Sequence, residues 1–325
     1  MRKSVVIVGD SPLSVLVARA LDRDLARETH IEVTYLTRDD SLIYAPNLTS
    51  LLGRHTFPSK SKLYNNIGCQ KATIKQINLI DRRVITTSGV IEYDCLFLDL
   101  TPSFLSSEIT KMSQQALRLI SEAKAKINSG HNLRARITFA GEDAMSWQLA
   151  LALASDISAC PATVQRSLIV QAQYPSISRL KDFLAENGVA SRKSVALLPG
   201  LTINAPTAPI KNRLVRGALL DDKDNFVLRD SLNPEGHPES IVVDANQRHQ
   251  QDVLRVDQTL AEQISSNIER FLAGDRQRAI RCPRSSGILK GQTNDFVWFG
   301  NLQSSHLRAR LISVLDRKFY RQLVD

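Results

Sequence analysis

The stretch SVVIVGDSPLS, residues 4–14, decides the fold of this chain. Val5 to Val8 are apolar and β-branched, which is typical of a strand buried on both faces of a parallel sheet. Gly9 ends this strand, and residues 15–21 then carry apolar side chains at helical spacing. A strand, a tight turn and a helix in this order predict a Rossmann-type unit.

The turn of this unit departs from the usual G-x-G-x-x-G pattern, because its three positions are Gly9, Ser11 and Ser14. The second glycine normally lets the backbone approach a pyrophosphate, and the third lets the helix pack close to the strand. A side chain at Ser11 therefore stands where phosphate would lie, and the Asp10 carboxylate would repel it. Two interpretations follow: an altered nucleotide site, or a Rossmann turn without nucleotide in which Asp10 caps the helix.

The same pattern returns later in the chain, with a strand over 136–140, a turn and an apolar helix over 147–154. The turn keeps Gly141 but has Asp143 and Ser146 at the other two positions. The strand after each turn also lacks the expected ribose-binding acid. The strand over 31–37 ends at Thr37, followed by Arg38, and the strand over 167–170 leads to Gln171.

Apolar runs and turn residues predict the other elements of the chain. Further strands are predicted over 72–80, 83–87, 95–100, 195–198 and 241–243, with a hairpin turn at 88–89. Further helices are predicted over 111–127, 178–187, 257–273 and 305–323. Residues 201–216 read as irregular, and the segment after Asp275 is more basic and less periodic.

Composition excludes several classes of function. The 325 residues, 43% of them hydrophobic, allow two cores, and no run of eighteen apolar residues predicts a membrane-spanning helix. The net charge of +9 suits an acidic partner, but the basic residues are not interleaved with aromatics, so nucleic-acid binding is not expected. The four cysteines form no C-x-x-C and the six histidines show no metal spacing. We expect no metal, and a location in the cytoplasm or, for a mature chain, a reducing organelle matrix.

Several further segments resemble the FAD/NAD(P)H flavoprotein superfamily, most closely the type II NADH dehydrogenases and their relatives. Residues 93–98 (YDCLFL) resemble the family's YDxLVLATG, and residues 236–243 (GHPESIVV) resemble HPxVFAIGD. Residues 308–316 resemble the C-terminal RNRLxVLLDW segment of the dehydrogenases. The resemblance implies an α/β fold with two Rossmann-like domains, the second inserted in the first, and a C-terminal helical segment. The expected boundaries are 1–110 and 206–275 for the FAD-type domain, 111–205 for the NAD(P)-type insert, and 276–325 for the C-terminal segment.

In the resembled family, cofactors are held at positions that are altered here. The A-T-G turn aligns with Asp99-Leu100-Thr101, the late G-D with Asp244-Ala245, and a glutamate of the NADH-side helix with Gln148. Together with the two turns, the candidate cofactor positions are Gly9, Ser11, Ser14, Thr37, Arg38, Thr101, Gly141, Asp143, Ser146, Asp244 and Ala245. No catalytic residue is assigned.

The loss of these contacts with intact strands and helices favours a degenerate flavoprotein, a pseudoenzyme that serves as a structural or assembly subunit of a protein complex and binds no cofactor. The alternative is an active FAD-dependent NADH:quinone-type oxidoreductase, binding FAD and NAD(P)H through atypical contacts.

The last helix, predicted over 305–323, carries an apolar stripe of Leu307, Leu311, Val314, Leu315 and Phe319 beside basic residues. Such a helix can pack its stripe on the body of the protein, dock on a protein partner, or lie peripherally on an anionic membrane.

Overall fold

The structure, a computed structural model, describes part of the chain. The described residues are 2–25, 31–128, 136–141, 143–158, 168–171, 179–192, 201–206, 208–244, 254–281, 286–292, 294–299, 302–304 and 307–324. The predicted strand over 195–198, the candidate position Ala245 and the side chain of Gln171 lie outside the residues that are described.

Within these ranges the chain forms six α-helices and sixteen strands. The helices are α1 (Pro12–Leu25), α2 (Ser106–Asn128), α3 (Ala144–Asp156), α4 (Leu180–Glu186), α5 (Leu254–Ala273) and α6 (Leu307–Val324). The strands are β1 (Lys3–Val8), β2 (Ile31–Thr37), β3 (Gly68–Lys71), β4 (Ile74–Asn78), β5 (Arg83–Thr86), β6 (Val90–Glu92), β7 (Cys95–Asp99), β8 (Ile137–Ala140), β9 (Leu168–Gln171), β10 (Ala190–Arg192), β11 (Leu201–Asn204), β12 (Val215–Arg216), β13 (Ser240–Val243), β14 (Ser286–Lys290), β15 (Asp295–Phe299) and β16 (Leu302–Ser304).

The first sheet is parallel and has the strand order β13-β7-β1-β2-β3. Alternate residues of its strands enter two different apolar cores: Val5 and Ile7 pack toward α1 and α5, and Val6 and Val8 pack toward β4 and β5. Burial on both faces explains why the sequence of β1 is uniformly apolar rather than alternating. The turns at the carboxyl ends of β1, β2, β7 and β13 therefore lie along one edge of this sheet.

The second sheet is also parallel, with the order β10-β9-β8-β11, and its strands lie in the chain between β7 and β13 of the first sheet. The predicted two-sheet α/β architecture, with the second unit inserted in the first, is therefore confirmed. The interpretation of 201–216 as irregular is wrong, because β11 pairs with β8 and buries Ile203. A short strand at a sheet edge owes its conformation to tertiary pairing, which its own sequence does not encode.

The described residues also form a mixed sheet and an antiparallel sheet. One has the order β12-β4-β5-β6 with parallel pairing only between β12 and β4, and its predicted hairpin turn at 88–89 joins β5 to β6. The other, β14-β15-β16, occupies the basic segment for which no strand was predicted. Its aromatic residues Phe296 and Trp298 are buried against α3 and α4, in the core of the second sheet. Trp298 is thus a core residue.

Helix α6 packs on α5 and β15 with a face that differs from the predicted one. Ala309, Ser313 and Asp316 are buried, whereas Leu311, Val314 and Leu315 of the predicted stripe are exposed. The interpretation in which the stripe packs on the body of the protein is therefore wrong for these three residues. None of the described helices combines the length and the apolar character that a bilayer crossing demands.

Candidate functional site

The turn between β1 and α1 is filled by a carboxylate from β7. Asp99 is fully buried, and its Oδ2 accepts hydrogen bonds from the hydroxyls of Ser11 and Ser14, the latter at 2.7 Å. Its Oδ1 accepts a hydrogen bond from the backbone N–H of Thr101 at 3.0 Å. Asp99 thus links the two serines that replace glycines to the turn that aligns with A-T-G. An internal anion occupies the kind of cradle that this fold uses for phosphate.

Gly9 shows how tightly this cradle is closed. A Cβ atom placed on Gly9 would overlap the Ser14 hydroxyl and lie 2.9 Å from Cβ of Asp99. The space that a glycine keeps open for a cofactor is therefore taken by side chains of the chain itself.

Asp10 points to the end of β2. Its Oδ1 accepts hydrogen bonds from the Thr37 hydroxyl and the Arg38 backbone N–H, both at 2.8 Å, and its Oδ2 forms an ion pair with the Arg38 guanidinium at 2.5 Å. Asp10 is only 3% exposed and Arg38 is half-buried, so the ion pair is largely shielded from solvent. The predicted positions Thr37 and Arg38 therefore both bind Asp10, so their hydrogen-bonding groups find partners within the chain.

The interpretation in which Asp10 caps α1 is wrong. The backbone N–H of Leu13, in the first turn of α1, donates to the Ser11 hydroxyl at 3.1 Å, so Ser11 is the capping residue. Asp10 binds Arg38 instead, because a hydrogen bond to a charged guanidinium is stronger than one to the backbone N–H groups of a helix N-terminus.

Lys60 is a member of this cluster that the sequence did not reveal. Its side chain is 1% exposed, and Nζ donates hydrogen bonds to the Thr37 hydroxyl and to the Asp39 carbonyl, both at 2.9 Å. Burial lowers the pKa of Lys60, an effect that the nearby carboxylates of Asp10 and Asp39 oppose. Because Lys60 stands in the polar segment SKSK, no sequence signal distinguishes it from a solvated lysine.

Asp39, two residues beyond the end of β2, binds backbone groups of the chain itself. Its carboxylate accepts hydrogen bonds from the backbone N–H groups of Ser41 and of Ser106, the first residue of α2. Burial alone would raise its pKa, but these hydrogen bonds outweigh it and the pKa is lowered. The carboxylate thus satisfies the N-terminus of α2, which begins five residues earlier than predicted.

The fourth turn along this edge belongs to β13 and leads toward α5. Asp244 is buried directly after β13, whose Val243 is the register partner of Asp99. Asp316 of α6 lies at the start of α5, where the backbone N–H of Leu254 donates to its Oδ1 at 3.0 Å. The hydroxyl of Tyr44 donates to the other carboxylate oxygen. A buried carboxylate of the C-terminal helix α6 thus accepts a hydrogen bond from a backbone N–H at the start of α5.

The second Rossmann turn is closed by its own acid. Asp143 is the N-cap of α3, accepting hydrogen bonds from the Ser146 backbone N–H at 2.8 Å and from the Ser146 hydroxyl at 2.7 Å. A Cβ on Gly141 would overlap the Ser146 hydroxyl and lie 2.5 Å from Oδ2 of Asp143. Burial raises the pKa of Asp143, and its hydrogen bonds with Ser146 oppose the rise. The predicted positions Gly141, Asp143 and Ser146 therefore meet, again without space left for a phosphate.

Comparison with known proteins places this geometry in context. No family model matches the chain, and no curated protein matches its sequence. Among solved structures, the sulfide:quinone oxidoreductase of Aquifex aeolicus superposes with a TM-score of 0.70 at 13% identity, covering 99% of this chain and 91% of that one. A chain in the mitochondrial ATP synthase of Tetrahymena thermophila superposes with a TM-score of 0.61 at 15% identity, covering 98% and 95%. The NADH-bound NADH oxidase of Lactobacillus brevis gives 0.56 at 13% identity, covering 91% and 74%.

The chain has the two-domain fold of FAD/NAD(P)-dependent oxidoreductases. The resemblance drawn from the sequence is confirmed at the level of fold. Two cavities in the described part of the chain lie away from the Gly9 turn, one beside α1, α5 and α6, the other around residues 44–58.

Gln148, where the resembled family has a glutamate, joins three elements instead of facing a ligand. Its side chain is fully buried, and its Nε2 donates to the carbonyls of Leu48 at 2.9 Å and Lys290 at 3.2 Å. Its Oε1 accepts from the backbone N–H of Lys290 at 2.8 Å. An amide can donate and accept at once, which a carboxylate cannot, so glutamine suits this purely structural role.

Lys290 at the end of β14 leads to a prediction of pH dependence. Burial, and then the nearby Arg317, lower its pKa from 10.5 to about 8. Because the unfolded chain holds this proton more tightly, the contribution of Lys290 to stability increases as the pH rises from 8 to 10.5. Replacing Lys290 by methionine removes the buried charge and should stabilise the protein near neutral pH by on the order of 2 kcal/mol.

The measurement is the urea midpoint of unfolding for Lys290→Met and for wild type. Both are measured at two pH values, one near neutral and one above the usual pKa of lysine. The advantage of the variant should shrink at the higher pH. A constant difference would show that Lys290 is charged without penalty in the folded protein. Lys223→Met, at an exposed position, is the matched control and should show no such pH dependence.

Proposed function

We propose that this chain is a structural or assembly subunit of a protein complex, built on an oxidoreductase fold that no longer holds its cofactors. The observation that carries the proposal is Asp99, the buried carboxylate that binds Ser11 and Ser14 across the β1–α1 turn. A bound pyrophosphate would need the same hydroxyl and backbone donors, and it would meet a negative charge there. The cost of two like charges at such a distance is several kcal/mol at intermediate dielectric.

The other turn supports the proposal independently. Asp143 closes the N-terminus of α3 with the same chemistry, a carboxylate bound to a serine that replaces a glycine. Loss at one site could reflect a change of cofactor, whereas self-filling of both turns removes the flavin and the nicotinamide contacts together. The carboxylates also satisfy backbone donors at the two turns, the N–H groups of Thr101 and of Ser146.

The comparison with the Tetrahymena ATP synthase supports an assembly role. A chain of nearly the same extent, with the same fold, occurs in a large mitochondrial complex. This fold is therefore compatible with membership of a multisubunit assembly.

The second candidate is an active FAD-dependent NAD(P)H oxidoreductase of the quinone-reducing type, favoured by the extent of the likeness to the sulfide:quinone oxidoreductase. It would require Asp99 and Asp143 to leave their serine partners and both turns to reopen. Flavin content separates the two candidates.

The assembly role is tested by purifying the tagged chain from its native cells and determining the mass of the particle that contains it. We expect a stoichiometric complex far larger than the 36.2 kDa chain. A particle that holds only this chain would contradict the assembly role.

A further inference from the structure

The outer face of α6 exposes a ridge of large apolar side chains. Leu311 is 61% exposed, Val314 55% and Leu315 43%. These residues stand three and four positions apart, so they form one continuous strip on the helix surface. Single exposed apolar residues are ordinary on a protein surface, but a clustered set on one helix face marks an interaction site.

This ridge is held outward by the opposite face of the helix. Ala309 packs into a small core with Ile288 and Val297 of the three-stranded sheet. Two turns further, Asp316 is 3% exposed and binds Tyr44 and the backbone of Leu254. Rotating α6 to bury the ridge would break these buried polar contacts, so the ridge stays exposed in the isolated chain.

The ridge is bordered by positive charge. Arg310, Arg317, Lys318 and Arg321 are exposed around it, and the acidic residue of α6, Asp316, is buried on the other face. The exposed surface of α6 therefore combines an apolar strip with a basic rim. This combination selects an occupant that is apolar at its centre and acidic at its edges.

The ridge continues into a groove. Beyond Leu315, Phe319 and Leu323 of α6 line a cavity of about 500 Å³, together with Leu16 and Ala20 of α1. Polar side chains, among them Arg19, Asp22, Arg23 and Glu262, edge this apolar lining. A concave groove of this kind accepts a projecting side chain of a protein partner, whereas a flat bilayer surface leaves it unfilled. A second copy of this chain would bring two basic rims together, which like-charge repulsion opposes.

We propose that the α6 ridge and this groove form the docking surface for an acidic amphipathic helix of a partner protein. The partner's apolar residues cover Leu311 and Leu315, its carboxylates face the basic rim, and one apolar side chain enters the groove beside Phe319. This is the helix-in-groove mode of recognition. The inference rests on the proposed assembly role and specifies the surface and the chemistry of the partner.

The test uses the full-length chain and a labelled helical peptide of about three heptads, with leucine at the a and d positions and glutamate at the flanking positions. We expect salt-sensitive binding by fluorescence anisotropy. The triple variant Leu311→Ser, Val314→Ser and Leu315→Ser should weaken it about tenfold or more, since it removes the apolar centre of the interface. Leu117→Ser, at a 43% exposed leucine of α2, is the matched control and should bind as wild type does.

Four results would overturn the proposal. The glutamate peptide could fail to bind, or a peptide with lysine in place of glutamate could bind equally well. The wild-type chain could instead float with phosphatidylcholine–phosphatidylserine vesicles while the triple variant does not. This result would show that the ridge binds a membrane. The chain could also dimerise through the ridge, as gel filtration of wild type and triple variant would reveal. If the native complex forms while the peptide does not bind at the ridge, the docking surface is wrong and the assembly role stands.

Discussion

Replacing Asp99 by alanine is expected to lower the free energy of unfolding by about 3 kcal/mol, because buried donors then lose their acceptor. Its carboxylate accepts three hydrogen bonds, from Ser11, Ser14 and Thr101, in a site closed to solvent. In a chain whose turn were open for a cofactor, removing this side chain would enlarge the cofactor site at little cost to the protein. The size of the loss therefore reports how far Asp99 has become part of the core.

The measurement is urea unfolding followed by circular dichroism, with two comparison variants. Asp99→Asn keeps the shape and one oxygen acceptor and should lose less stability than Asp99→Ala. Asp222→Ala, at an exposed aspartate, should change stability by less than about 0.5 kcal/mol. Equal midpoints for Asp99→Ala and Asp222→Ala would mean that the Asp99 hydrogen bonds do not stabilise the turn.

The second large effect is expected at Asp316, which fixes α6 to the body of the protein. Asp316→Ala leaves the Tyr44 hydroxyl and the Leu254 backbone N–H without this acceptor in a buried site, at a cost of about 3 kcal/mol. The stacking of Tyr44 on Tyr320, with ring centroids 5.5 Å apart, adds to the same contact. We expect the variant to release α6, which makes its basic residues accessible to trypsin.

Limited proteolysis with mass spectrometry measures this release. Cleavage within α6 should be faster in Asp316→Ala than in wild type, and Tyr44→Phe should reproduce part of the effect. The double variant should lose less stability than the sum of the losses in the two single variants, because both substitutions remove the same hydrogen bond. If the two losses of stability were strictly additive, Tyr44 would not contribute to the anchoring of α6 by Asp316.

The sequence was sufficient to predict the two parallel sheets and the positions at which the turns depart from a cofactor-binding pattern. The apolar run of β1 and the repeat of strand, glycine turn and helix at Gly141 carry this information locally. What the altered residues do could not be predicted, because Ser14 and Asp99 are 85 positions apart. Only the parallel pairing of β1 with β7 brings them together.

Two further features were hidden for different physical reasons. Lys60 and Asp316 carry charge, and a charged residue in a polar or basic segment is ordinarily solvated. The buried face of α6 uses the small residues Ala309 and Ser313, which permit close packing on the sheet but contribute little to a hydrophobic pattern. The most apolar stripe of a helix therefore does not identify the packing face when another face carries small residues that allow close packing.

Flavin content is the most direct test of the central claim, that internal carboxylates have replaced the cofactors. The full-length chain would be expressed with riboflavin in the medium, purified, incubated with excess FAD and separated from free ligand. Flavin released by heat would then be measured by fluorescence, with an FAD-loaded sulfide:quinone oxidoreductase treated in parallel as the positive control. Our account predicts only traces of flavin and no visible flavin absorption band. One flavin bound per chain would contradict it.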